Sequence, residues 1–61
     1  MKLLEVVNTF TNKVYCVKES EINNSIVELY GFNGTRLTVS KWVSSDMLKK
    51  DYEVIAELEL E

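Results

Sequence analysis

The chain has no histidine and no proline, and only a single cysteine and two glycines among its 61 residues. Each shortage removes a class of chemistry. Histidine is the usual general acid and base near neutral pH, so acid–base catalysis loses its commonest agent. With Cys16 alone no disulfide can close within the chain, and structural zinc needs four Cys or His ligands. Gly31 and Gly34 are too few for a phosphate-cradling loop, which needs several glycines with a lysine and a hydroxyl at fixed spacing. Asp46, Asp51 and Glu53 do not follow the spacing of a calcium loop. No apolar run approaches the roughly 20 residues of a membrane span. Met1-Lys2-Leu3-Leu4-Glu5 lacks the apolar core of a signal peptide. These absences predict a cytoplasmic protein that is not an enzyme and holds no cofactor and no metal. A lone cysteine, read as a small buried residue of a strand, fits a reducing compartment.

Hydrophobic residues make up 46% of the chain and charged residues 28%, the balance of a folded domain and not of a disordered segment. Residues 1–61 read as one small domain. A chain of this length buries only about 60% of its unfolded surface, so pairing with another chain is one route to added stability. The net charge is −3. Phosphate binding rests on clustered Lys and Arg, so this balance disfavours nucleic acid and suits a partner with a basic surface.

Period-two alternation supplies the clearest structural signal. Along Asp51–Leu60, Tyr52, Val54, Ala56, Leu58 and Leu60 fall on one side, and Glu53, Glu57 and Glu59 on the other with Ile55. That is the pattern of a half-buried antiparallel strand. Lys2 to Asn8 and Lys13 to Lys18 read as two further strands, joined closely enough for a hairpin. Thr35 to Val43 reads as another, with Leu37, Val39 and Val43 inward and Arg36, Thr38, Ser40 and Trp42 outward. Ser44–Lys50 is a loop with room for one helical turn, capped by Ser44 or Ser45.

The segment from Ser20 to Phe32 supports two readings. Asn33-Gly34 is a hairpin signal. A hairpin centred there places Glu28 on the side of Leu37 and Val39, so its two halves disagree about which face is buried. A helix avoids that conflict. Ser20 would be its N-cap, Ile22, Ile26, Leu29 and Tyr30 its apolar stripe, and Gly31 its left-handed C-cap. The predicted fold is thus α+β: ββαββ, one helix packed on one face of a four-stranded, mainly antiparallel sheet. Leu37, Val39, Val54, Ala56 and Leu58 are the expected core. The alternative is an all-β SH3-like small barrel, with a strand in place of the helix and a short link after Ser44.

One helix leaves one sheet face uncovered. That face is expected to carry Trp42, Ile55, Thr38 and Arg36, with one of two sets from the second strand, Tyr15 with Val17 or Val14 with Cys16. The candidate contacts are Trp42, Tyr15, Arg36 and Ile55, and Trp, Tyr and Arg are types that concentrate at binding hot spots. Glu53, Glu57 and Glu59 form an acidic row beside them, complementary to a basic partner. In the plainer reading Trp42 caps the core edge and Tyr15 lies flat on the sheet. In size, acidity and lack of catalytic groups the chain resembles the small accessory proteins of bacteriophages and mobile elements. The expected function is a non-enzymatic protein-binding module that inhibits or modulates a larger protein. The alternative is a homodimer assembled through an edge strand or the open sheet face. Base stacking of nucleic acid on Trp42 and Tyr15 is disfavoured by the acidic row.

Overall fold

The computed structural model describes residues 1–59. It has five strands: β1 (Lys2–Asn8), β2 (Val14–Lys18), β3 (Ile26–Asn33), β4 (Arg36–Ser44) and β5 (Tyr52–Glu59). A 3₁₀ turn, Glu19–Glu21, lies between β2 and β3, and the helix α1 (Ser45–Asp51) lies between β4 and β5. The strands form one open antiparallel sheet in the order β4-β3-β2-β1-β5. The protein is a small α+β domain, but with five strands and not four. The helix expected at Ser20–Gly31 is a 3₁₀ turn followed by a strand, and the true helix is the one after Ser44. The barrel alternative foresaw that strand, yet β4 and β5 stay apart as the two ends of an open sheet.

Local chemistry explains the connections. Asn8 Oδ1 accepts from the amides of Phe10 at 2.8 Å and Thr11 at 3.0 Å. Asn12 then takes the left-handed φ of 61° that asparagine tolerates, closing the β1–β2 turn. Thr9 ties this turn to the end of α1, donating from both its amide and its hydroxyl to the Asp51 carbonyl. Ser44 Oγ accepts from the Met47 amide at 3.1 Å and caps α1.

In the β3–β4 hairpin Asn33 pairs with Arg36, so the two-residue turn is Gly34-Thr35. Gly34, at φ 67°, supplies the positive φ of a II′ turn at its first central position. Gly31 is not a helix cap: it lies in β3 and is not among the residues of positive φ. The conflict that favoured a helix disappears because both faces of the sheet are buried. Glu28 stays on the side of Leu37 and Val39, where Tyr30 is buried, and a bulge changes only the later part of β4. Phe32 pairs with Leu37 and Tyr30 with Val39, but Leu29 pairs with Lys41, leaving Ser40 as one extra residue. Beyond it the alternation reverses, so Val27 and Leu29 share a face with Val43 while Glu28 faces Trp42.

A second bulge divides β5. Glu5 pairs with Ala56 but Val6 with Val54, so Ile55 is the extra residue. Tyr52 and Val54 therefore lie on one side of the sheet, and Ala56 and Leu58 on the other. The single apolar face expected for Tyr52–Leu58 is split, and Leu60 lies outside the described residues.

Each side has its own cluster. On the side covered by α1, the buried residues are Leu4, Val6, Val17, Val27, Leu29, Val43, Leu48 and Tyr52, with Tyr15 and Ile22 against them. On the opposite side Leu3, Cys16 and Tyr30 are buried, with Leu37 and Leu58 against them. Of the expected core, Leu37 and Leu58 are half-buried on that second side, and Val39 and Val54 are exposed. Both exposed valines sit on edge strands next to a bulge, where no further strand covers them.

Two substitutions test this architecture. Leu29→Ala empties a fully buried site and should cost about 2–5 kcal/mol, whereas Val54→Ala should cost less than about 1 kcal/mol. Thermal unfolding of both variants compares them directly, and equal losses would contradict the face assignment. Gly34→Val forces a β-branched residue to positive φ and should lower the melting temperature, while Gly34→Asn should be milder.

Candidate functional site

The β3–β4 hairpin gathers the most exposed apolar surface. Alternation along β3 sends Ile26, Glu28, Tyr30 and Phe32 to the side away from α1, and their partners Leu37, Val39 and Trp42 join them. Trp42 and Ile26 are each 63% exposed and Phe32 53%. Tyr30 lies beneath this band, buried beside its pairing partner Cys16. Its hydroxyl donates to Glu28 Oε2 at 2.8 Å, and Lys18 Nζ sits 5.1 Å from the ring centroid. The band is therefore a flat apolar strip with a small polar knot of Lys18, Tyr30 and Glu28 in its middle.

The expected site residues do not converge on one surface. Trp42 is on the hairpin strip. Tyr15 is on the α1 side, half-buried in edge contact with Tyr52, with 6.3 Å between ring centroids. Lys41 Nζ lies 5.7 Å from the Tyr15 ring centroid, because the Ser40 bulge turned Lys41 to that side. Arg36 is at the hairpin tip, also on the α1 side by its pairing with Asn33. Ile55 is the bulged residue of β5, half exposed at the far edge of the sheet.

The acidic row is also divided. Glu53 pairs with Val7 on the side of Trp42, while Glu57 pairs with Leu4 and Glu59 with Lys2 on the α1 side. Lys2 bridges Glu57 and Glu19, and the terminal ammonium of Met1 lies 3.5 Å from Glu59. Ile26, Phe32 and Val39 were missed as surface residues. Their signal was the alternation of Tyr30, Phe32, Leu37 and Val39 on either side of Gly34.

Among the described residues no group of three or more Cys, Asp or Glu side chains is placed to hold a metal ion, and no enclosed pocket opens on the surface. Comparison with protein-family models, curated proteins and solved structures finds no match to this chain.

Burial, and then the nearby Glu5, push the Cys16 thiol above its ordinary 9.0. The hydrogen bond to Glu28, and then burial, push the Tyr30 phenol above 10.0. Lys18 is raised too, first by the adjacent Tyr30, whose ring centroid lies 5.1 Å from its ammonium. In each case the fold holds the proton more tightly than the unfolded chain does. The stabilisation is complete below the unfolded values and is lost as pH rises through the folded ones. Urea unfolding at neutral pH and at stepped values from about pH 9 upward should show falling stability with rising pH. A flat profile there would contradict the protonated Cys16–Tyr30 pairing.

Proposed function

We propose that this chain is a small protein-binding module without catalysis of its own, and that its docking surface is the β3–β4 hairpin strip. The observation that carries the reading is the joint exposure of Ile26, Phe32, Val39 and Trp42 on one side of one hairpin. Exposed apolar area costs about 25 cal/mol per Å² to leave in water, so four exposed apolar side chains on one side of one hairpin suit a surface that a partner covers. Trp and Tyr are enriched at binding hot spots, and Trp42 stands in the strip beside Glu28. The partner that fits is a protein with an apolar ridge and a basic rim. The ridge meets the strip, and the rim meets Glu28 and Glu53 on the same side of the sheet. Small size and net negative charge suit an inhibitor or modulator that occupies a basic surface of a larger protein.

The chain's single tryptophan makes the test direct. Trp42→Ala with Phe32→Ser should leave the far-ultraviolet dichroism unchanged and the stability within about 1 kcal/mol. The double variant should bind a partner captured by the parent chain from its host about thirtyfold more weakly, the scale of a hot spot worth ~2 kcal/mol. Trp42 emission should shift to the blue on binding. Undiminished binding by a folded double variant would remove the strip from the contact.

A further inference from the structure

We propose that copies of this chain join edge to edge, β4 of one copy running parallel to β5 of the next. The register sets Lys41 beside Glu57 and Trp42 beside Leu58. This inference is independent of the hairpin strip as a docking surface for another protein.

Three observations on the two edges carry it. The first is that both are open and matched in length. Among the described residues β4 and β5 end the sheet, with nine and eight residues, so each presents unpaired backbone groups along a similar span.

The second is charge. β4 contains Arg36 and Lys41 and no acid, while β5 contains Glu53, Glu57 and Glu59 and no base. Joining β4 to β4 offers its cations no acid, and joining β5 to β5 offers its carboxylates no base. Like charges placed opposite destabilise strand pairs. Only the mixed contact joins opposite charges.

The third is phase. In the chosen register Arg36 lies beside Tyr52, Thr38 beside Val54, Lys41 beside Glu57 and Val43 beside Glu59. All eight are on the α1 side of the sheet by their pairings with β3 and β1. Leu37 with Glu53 and Trp42 with Leu58 are on the other side. Each edge reverses its alternation once, at Ser40 in β4 and Ile55 in β5. In this register Ser40 falls beside Ala56 and Val39 beside Ile55, so the two bulges lie one residue apart. The strands therefore stay in phase both before and after them. With a bulge on only one edge, half the contact would have mismatched faces.

Direction follows from topology. All neighbouring strands are antiparallel, so the order β4-β3-β2-β1-β5 makes β4 and β5 point the same way. A copy that continues the sheet without turning it over brings its β5 in parallel to β4. The contact is heterologous, so it builds a ring or a filament and not a two-fold dimer.

The test uses the full chain with cysteines placed at the predicted neighbours. Neighbouring strands lie about 4.8 Å apart, within reach of a disulfide. Under mild oxidation Lys41→Cys mixed with Glu57→Cys should give a covalent dimer, and neither variant alone should give one in comparable yield. A covalent dimer of Lys41→Cys alone would overturn the proposal in favour of a β4–β4 contact, and no crosslink in the mixture would overturn it outright. Sedimentation of the parent chain gives a second arm. Its mass should rise with concentration at low salt and fall at about 1 M salt, where screening is strongest. Lys41→Glu should weaken the association about tenfold. A single-chain mass at every concentration, or association indifferent to Lys41→Glu, would overturn the proposal as well.

Discussion

A pleated strand can send only every second side chain to one side of a sheet, and everything in this fold is arranged around that limit. The domain has buried clusters on both sides of one sheet. The central strands serve both through adjacent apolar pairs: Leu3 with Leu4 in β1, Cys16 with Val17 in β2, Leu29 with Tyr30 in β3. Such pairs read as short continuous hydrophobic runs because each strand is covered on two faces. The edge strands solve the problem differently. One extra residue in β4 and one in β5 reverse the alternation, so Val43 and Tyr52 serve the α1 side while Leu37 and Leu58 serve the other. Without the bulges each edge would abandon one cluster.

The remaining interactions hold the ends of this sheet in place. Lys2 links β1 to β5 and to the 3₁₀ turn through Glu57 and Glu19, all of them exposed enough to be screened by water. Thr9 and Asp51 join the β1–β2 turn to α1, and Ser44 starts that helix where β4 leaves the sheet. These contacts fix geometry more than they add stability. The burial that dominates comes from the α1-side cluster, in which Leu48 is the helix's buried contribution.

The proposed docking strip and the proposed edge contact both draw on β4 and meet at Trp42, which stands in the strip and lies beside Leu58 in the proposed register. The strip is a face, made of side chains perpendicular to the sheet. The edge contact is made in the plane of the sheet, by backbone groups and by Lys41 and Arg36, which the bulge and the hairpin register place on the α1 side. Lys41 illustrates the division. Its ammonium lies over the Tyr15 ring on one side of the sheet, while its neighbour Trp42 stands exposed on the other.

The sequence by itself determined the existence of most elements. Leu3 to Val7, Val14 to Val17 and Tyr52 to Leu58 are legible as strands because β-branched and alternating residues leave no helical face. Ser44 is legible as a cap because its hydroxyl needs only the amide three residues ahead. Trp42 is also legible as outward-pointing, since its parity against Val43 holds within an unbroken stretch of β4. The position of the two bulges was not legible. Nothing in Val39-Ser40-Lys41 or Val54-Ile55-Ala56 marks an extra residue, because a bulge is chosen by the partner strand that must be matched. The β3–β4 hairpin conflicts with a single buried face, and it forms because the sheet buries both: Tyr30 and Leu37 on one side, and Val27, Leu29 and, past the bulge, Val43 on the other. Arg36, Glu57 and Glu59 fall on the side opposite to the one expected, and the side of Tyr15 stays open in the sequence, for a related reason. Which side of a strand is buried depends on where the helix lands, and only the packing of Leu48 decided that α1 covers the side of Val6, Val17 and Leu29.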